Sequence, residues 1–194
     1  MTKMLKAVFL SGAVALFAHA EARAQSGQGA PTIQKAVEQP LPAEWEGVWK
    51  GTLAVAHADG KREELPMGLH VGPPSAGGAR GWKILYAEPG GQTTRPYEIA
   101  PVAGEPGRFV VDEKNGLFID SQLVGRVLYS QFLVTTNIVT TRFELRGDEL
   151  AVQMSMFDAR TPRQSRLTGG NIAVFAYKFR SEQHGVLKRA GRKS

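Results

Sequence analysis

From residue 47 to residue 180 the chain never holds a helical apolar period for three turns. It advances instead in short runs of alternating apolar and polar residues, each closed by Gly, Pro, Asp or Asn. Alternation with that punctuation is what half-buried β-strands require, because successive side chains point to opposite faces. In residues 47–56, Trp49, Gly51, Leu53 and Val55 share one face, and Asp59-Gly60 then turns the chain. Residues 64–71 place Leu65, Met67, Leu69 and Val71 together, and residues 82–86 do the same with Trp82, Ile84 and Tyr86. Residues 93–102 carry Tyr97 and Ile99, and the runs 108–112 and 117–122 flank Asn115-Gly116. That pair suits the two positive-φ sites of a type I′ hairpin turn. Residues 126–135, 138–146 and 149–157 are rich in Val, Thr, Phe and Tyr, as pleated surfaces prefer. A basic loop over 160–170 is expected before a last strand over 171–180, where Ala173, Phe175, Tyr177 and Phe179 share a face.

Eight to ten strands follow from this pattern, each apolar on one side, as in an antiparallel sheet with one dry face. So many strands in one domain must close or stack to hide their edges. Hairpins succeed one another with no long connection, which predicts an all-β, antiparallel up-and-down barrel of eight to ten strands. A β-sandwich is the alternative.

The flanks differ from the body. Lys3 and Lys6 precede an uncharged apolar stretch over 7–18, and Ala18-His19-Ala20 and Ala22-Arg23-Ala24 follow. This predicts a secretory signal over 1–24, with export to the periplasm or secretion, and no transmembrane segment in the mature chain. There is no Cys, so neither a disulfide nor a lipid-modified cysteine is available, and stability must come from packing. Residues 25–44 read as a flexible leader, 45–182 as the barrel and 183–194 as a basic tail. The formal net charge is +6, and loss of Lys3, Lys6, Arg23 and Glu21 lowers it by two. That suits an anionic surface and falls short of a nucleic-acid footprint.

Gly47-Val48-Trp49 at the head of the first strand resembles the G-x-W signature of lipocalins and related calycin barrels. The resemblance implies that Trp49 closes the base of the barrel, with an Arg or Lys from the end of the last strand over its ring. Arg180 stands where that partner is expected, so Gly47, Trp49 and Arg180 form the implied closure. The second lipocalin signature, a Thr-Asp-Tyr on a later turn, is absent.

The chain lacks a nucleophile elbow, a dinucleotide fingerprint, a phosphate loop and a zinc-protease helix motif. His57 and His70 would face each other across the first hairpin, but no third ligand has matching spacing, so no metal is expected. Asp112 and Asp120, placed by a two-residue turn at Asn115-Gly116, read as exposed strand-end charges, and Arg146-Gly147-Asp148 reads as a turn. No catalytic residue and no cofactor is expected. The residues expected inside are Trp82, Tyr86, Tyr97, Phe143, Met154, Phe175 and Tyr177, lining a cavity if the barrel is hollow. Arg160, Arg163 and Arg166 are expected to attract an anionic surface or polymer. The reading is an exported, non-enzymatic protein that holds a small apolar or amphipathic ligand, oriented by Tyr86 or Tyr97. The alternative is a filled barrel acting through its basic loop and tail, and a third reading is an enzyme working at the barrel mouth.

Overall fold

A computed structural model describes residues 40–88 and 91–191. Ten strands follow one another: β1 (Gly47–His57), β2 (Arg62–Pro74), β3 (Arg80–Glu88), β4 (Gly91–Pro101) and β5 (Arg108–Asp112), then β6 (Phe118–Val124), β7 (Val127–Val134), β8 (Asn137–Arg146), β9 (Glu149–Arg166) and β10 (Ala173–Ala190). Each pairs antiparallel with its neighbour in sequence, and β10 pairs with β1 to close the ring. The up-and-down barrel is therefore real, and no sandwich forms. Among the described residues the ring itself has no lateral edge strand, which is the reason for closing it.

The alternation sets the inside. Trp49, Leu53, Leu69, Val71, Ile84 and Leu187 are buried, while Lys50, Glu64, Lys83 and Gln131 face out. Where β1 meets β10, small residues oppose large ones: Gly51 pairs with Leu187 and Gly185 with Leu53. A Cβ at Gly51 would lie 2.4 Å from the Val186 carbonyl oxygen, and one at Gly185 2.5 Å from that of Thr52. The two backbones approach too closely for any side chain there.

An antiparallel meander gives the barrel two ends. One receives residues 40–46 and the β2–β3, β4–β5, β6–β7 and β8–β9 connections; the other receives the β1–β2, β3–β4, β5–β6, β7–β8 and β9–β10 connections. The first end is closed. A 3₁₀ turn at Ala43–Trp45 sets Trp45 beneath the barrel, and the Trp49 Nε1–H donates to the Trp45 carbonyl at 3.0 Å. Trp45 lies 6.2 Å from Trp82, and Trp82 meets Phe143 edge-on at 5.4 Å, so aromatic rings fill this half of the interior.

Four expectations are corrected. The expected leader reaches residue 44, yet Leu41 is in the core, and Arg80 donates from Nε to its carbonyl at 3.0 Å. The turn at Asn115-Gly116 is longer than two residues: Glu113 N–H bonds the Leu117 carbonyl, with Lys114 at φ 60° and Gly116 at φ 90°. The expected tail from 183 is strand through Ala190, because Leu187 alternates inward against β1. The expected loop over 160–170 is strand through Arg166, because β9 continues past the barrel and pairs with β10 alone. The signal over 1–24 and most of the leader lie outside the described residues.

Candidate functional site: an apolar cavity above an aromatic base

Above the aromatic base, toward the open end, the interior holds a cavity of about 220 Å³. Trp82, Tyr86, Tyr97, Phe143 and Met154 are on its wall. Leu117, Phe118 and Leu133 form an apolar rim and are well exposed there. The volume lies below the roughly 300–1,000 Å³ of sites for drug-sized molecules. It suits a slender ligand, or one whose end remains at the mouth.

Polar side chains on this wall include Glu113, Ser130, Thr141 and Ser181, and two further polar groups are unmatched. Tyr86 is 5% exposed and Gln183 7% exposed. Among the described residues no group hydrogen-bonds the Tyr86 hydroxyl or the Gln183 Oε1. An unmatched buried polar group costs about 1–3 kcal/mol, so a ligand that meets these two atoms gains more than burial alone gives. Arg95 is the register partner of Ile84 and so faces inward with it. Its buried Nε also has no hydrogen-bond partner among the described residues.

The phenols respond to this setting. Burial is the main cause that pushes the Tyr97 hydroxyl up to about 12, and Glu113, which hydrogen-bonds it, adds to the rise. Burial pushes Tyr86 higher still, with Tyr97 adding to the effect and the Arg95 charge opposing it. Both phenols are neutral hydrogen-bonding groups at ordinary pH.

At the closed end the cation over the Trp49 ring is Arg189, with its guanidinium carbon 4.0 Å from the ring centroid. Nη2 donates to the Glu44 carbonyl at 2.5 Å, Nη1 donates to the Glu46 carbonyl, and Nε pairs with Asp148 at 3.1 Å. The register dictates this, since Trp49 pairs with Arg189 across the β1–β10 ladder. Gly47 has φ +137°, and a Cβ there would lie 2.6 Å from the Arg189 Nη1. Glycine therefore leaves room for the guanidinium. Arg80, only 3% exposed, binds Glu46 at 2.9 Å and the Gly72 carbonyl at 3.0 Å from the other side.

No protein-family profile matches the chain, and no curated protein matches it in sequence. In three dimensions it is similar to the S-type phycobiliprotein lyase CPES from Guillardia theta. The TM-score is 0.57 at 6% identity, over 77% of this chain and 90% of that one. The fold is a lipocalin-like calycin barrel. It has ten strands where lipocalins have eight.

Several predicted residues fall elsewhere in this calycin barrel. Arg180 is at the open end, not over Trp49. It pairs with Asp158, as does Arg160 at 2.7 Å. The Arg160 side chain is the main cause that holds the Asp158 carboxyl far below the usual carboxylate range. Phe175 and Tyr177 are not inside, because their part of β10 pairs with β9 alone, beyond the closed ring; they are 51% and 43% exposed. His70 pairs with Val48 while His57 ends β1, so the two histidines sit at opposite ends of the hairpin. His57 lies 3.3 Å from Glu63 instead. Asp112 pairs with Lys114 at 2.9 Å and Asp120 with Arg108 at 3.0 Å, both surface ion pairs. A broader polar depression of about 530 Å³ lies over β5–β9, but its charges are paired, Arg108 with Asp120 and Arg142 with Glu144.

The inward-facing Arg95 and the cavity residue Gln183 are absent from the sequence reading, as are the clamps Arg80 and Arg189. For Arg95 a signal existed: it shares parity with Thr93 and Tyr97, and so with the inner face of β4. Gln183 carried none, lying in a segment read as tail.

Proposed function

We propose that this barrel is an exported, non-enzymatic binding protein for a small amphipathic molecule with an acidic or hydrogen-bonding head. The observation that carries the reading is the apolar cavity with two unmatched polar atoms, Tyr86 Oη and Gln183 Oε1, on its wall. Apolar walls supply affinity, and a few convergent polar groups fix orientation. Arg95 favours an acidic head: it pairs with no carboxylate among the described residues, and its charge acts on both phenols. The similar barrel from Guillardia theta is a phycobiliprotein lyase, and a ligand-handling role for this one is in keeping with that likeness. Export rests on the residues 1–24 pattern, and N-terminal sequencing of the mature protein from cell fractions tests it.

Native mass spectrometry of the chain purified from its own host tests the binding reading. A small molecule lost on denaturation is the expected result, and its mass fixes the chemistry. In solution, a fluorescent fatty acid should bind, be displaced by unlabelled fatty acid and bind less well to Arg95→Gln. Val139→Trp, which fills the cavity wall, should abolish binding with the barrel still folded. A bare protein mass, together with no displaceable binding of apolar acids or alcohols, would overturn the reading.

A further inference from the structure

The β9–β10 ribbon beyond the barrel is unused by the cavity. β8 begins at Asn137 opposite Asp158, and β1 ends at His57 opposite Ser181. Between those points the ladders of β9 and β10 pair only with each other. From Lys178 to Ala173 the ribbon extends about 17 Å at the usual strand rise. It projects from the same end as the apolar rim.

Its composition is one-sided. Residues 159–180 contain five cations, Arg160, Arg163, Arg166, Lys178 and Arg180, and no Asp or Glu. Asp158, at the root, engages Arg160 and Arg180. Arg163, Arg166 and Lys178 have no carboxylate partner among the described residues. At the tip Leu167 and Ile172 are 58% and 62% exposed, and Val174, Phe175, Tyr177 and Phe179 are also exposed. Phe175 pairs with Gln164 and Ala173 with Arg166, so the aromatic and one of the free cations share a face.

These features choose among occupants. A second copy would bring five further cations against the first five. A soluble polyanion would neutralise the arginines but leave Leu167 and Ile172 in water. An anionic bilayer meets both demands: apolar tips enter the headgroup–acyl boundary by about 5–10 Å, and cations stay at phosphate level. We propose that the β9–β10 ribbon docks the open end of the barrel on an anionic lipid bilayer. Docking brings the cavity mouth to the membrane surface, yet it rests on the ribbon alone and stands or falls apart from ligand binding.

The test is co-sedimentation of the full mature chain with phosphatidylglycerol–phosphatidylcholine vesicles, beside pure phosphatidylcholine vesicles. Binding to the first, weakened by salt, and little binding to the second are expected. Arg163→Gln with Arg166→Gln should lower the partition about thirtyfold, at roughly fivefold per charge. Phe175→Trp adds an indole in the ribbon to three native tryptophans that are all buried. Its emission should shift to the blue on mixed vesicles, and Leu167→Ser with Ile172→Ser should remove that shift. These positions lie in the part of β9 and β10 and their connection beyond the closed ring, so each variant should melt as the wild type does. A folded chain that ignores anionic vesicles, ribbon variants that bind undiminished, or binding only to a soluble polyanion would each overturn docking. Fatty-acid binding measured without vesicles should be unchanged in the ribbon variants, which separates failure of docking from failure of the cavity reading.

Discussion

Truncating Arg189 to Ala should unlock the closed end of the barrel. The guanidinium lies 4.0 Å from the centroid of a fully buried Trp49 ring, and such a cation–π contact is worth about 1–2 kcal/mol when partly dry. Its bonds to the Glu44 and Glu46 carbonyls add about 1 kcal/mol each after competition with water. The Asp148 partner is 59% exposed, so that ion pair adds little. The total is about 3 kcal/mol, which for a domain of this size lowers the melting temperature by about 6–12 °C. Urea unfolding followed by tryptophan fluorescence should show a lower midpoint with an unchanged slope. Arg189→Lys should fall between, because an ammonium keeps the charge but cannot reach two carbonyls in one plane. Arg180→Ala is the control. Its Asp158 partner keeps Arg160, so the midpoint should stay near that of the wild type. If Arg180→Ala costs as much as Arg189→Ala, or if the latter is silent, the assignment of the closing cation is wrong.

Gly47→Ala should destabilise by about 2 kcal/mol or more, since φ is +137° and the methyl would lie 2.6 Å from Arg189 Nη1. In a double-mutant cycle with Arg189→Ala the losses should be less than additive, which equilibrium unfolding measures. Tyr97 is pushed up to about 12 when folded, against 10.0 as its ordinary value. The unfolded chain therefore ionises first, and this stabilisation is whole below pH 10 and lost as pH climbs toward 12. Absorbance titration should show Tyr97 and Tyr86 ionising only after the ordinary tyrosine range. Asp158 is shifted the other way, so its contribution is present above the ordinary Asp value of 3.8 and is lost as pH falls below it. Asp158→Asn should accordingly lose stability at neutral pH and approach the wild type in acid, as read from urea midpoints across pH.

What a single strand carries could be read directly. Trp49, Leu53, Val55 and the Trp82, Ile84, Tyr86 series are inside because period-two alternation forces one side of each strand toward the core. The turn residues marked where each hairpin ended, and the absence of a long connection marked the meander. Those readings gave the barrel and the inner faces on which five of the cavity-lining residues lie.

The rest depended on which strands lie side by side. Phe175 and Tyr177 alternate just as Tyr86 and Ile84 do, yet they are exposed because neither β8 nor β1 reaches that far. Arg180 and Arg189 are both arginines on the last strand. Only the β1–β10 register puts one over Trp49 and leaves the other at the opposite end. Gln183 became a cavity residue, and Arg95 an inward-facing one, when the ring closed around them. Local periodicity belongs to one segment and is written in consecutive residues. Pairing register and coverage belong to segments far apart in sequence, and the chain settles them only by closing.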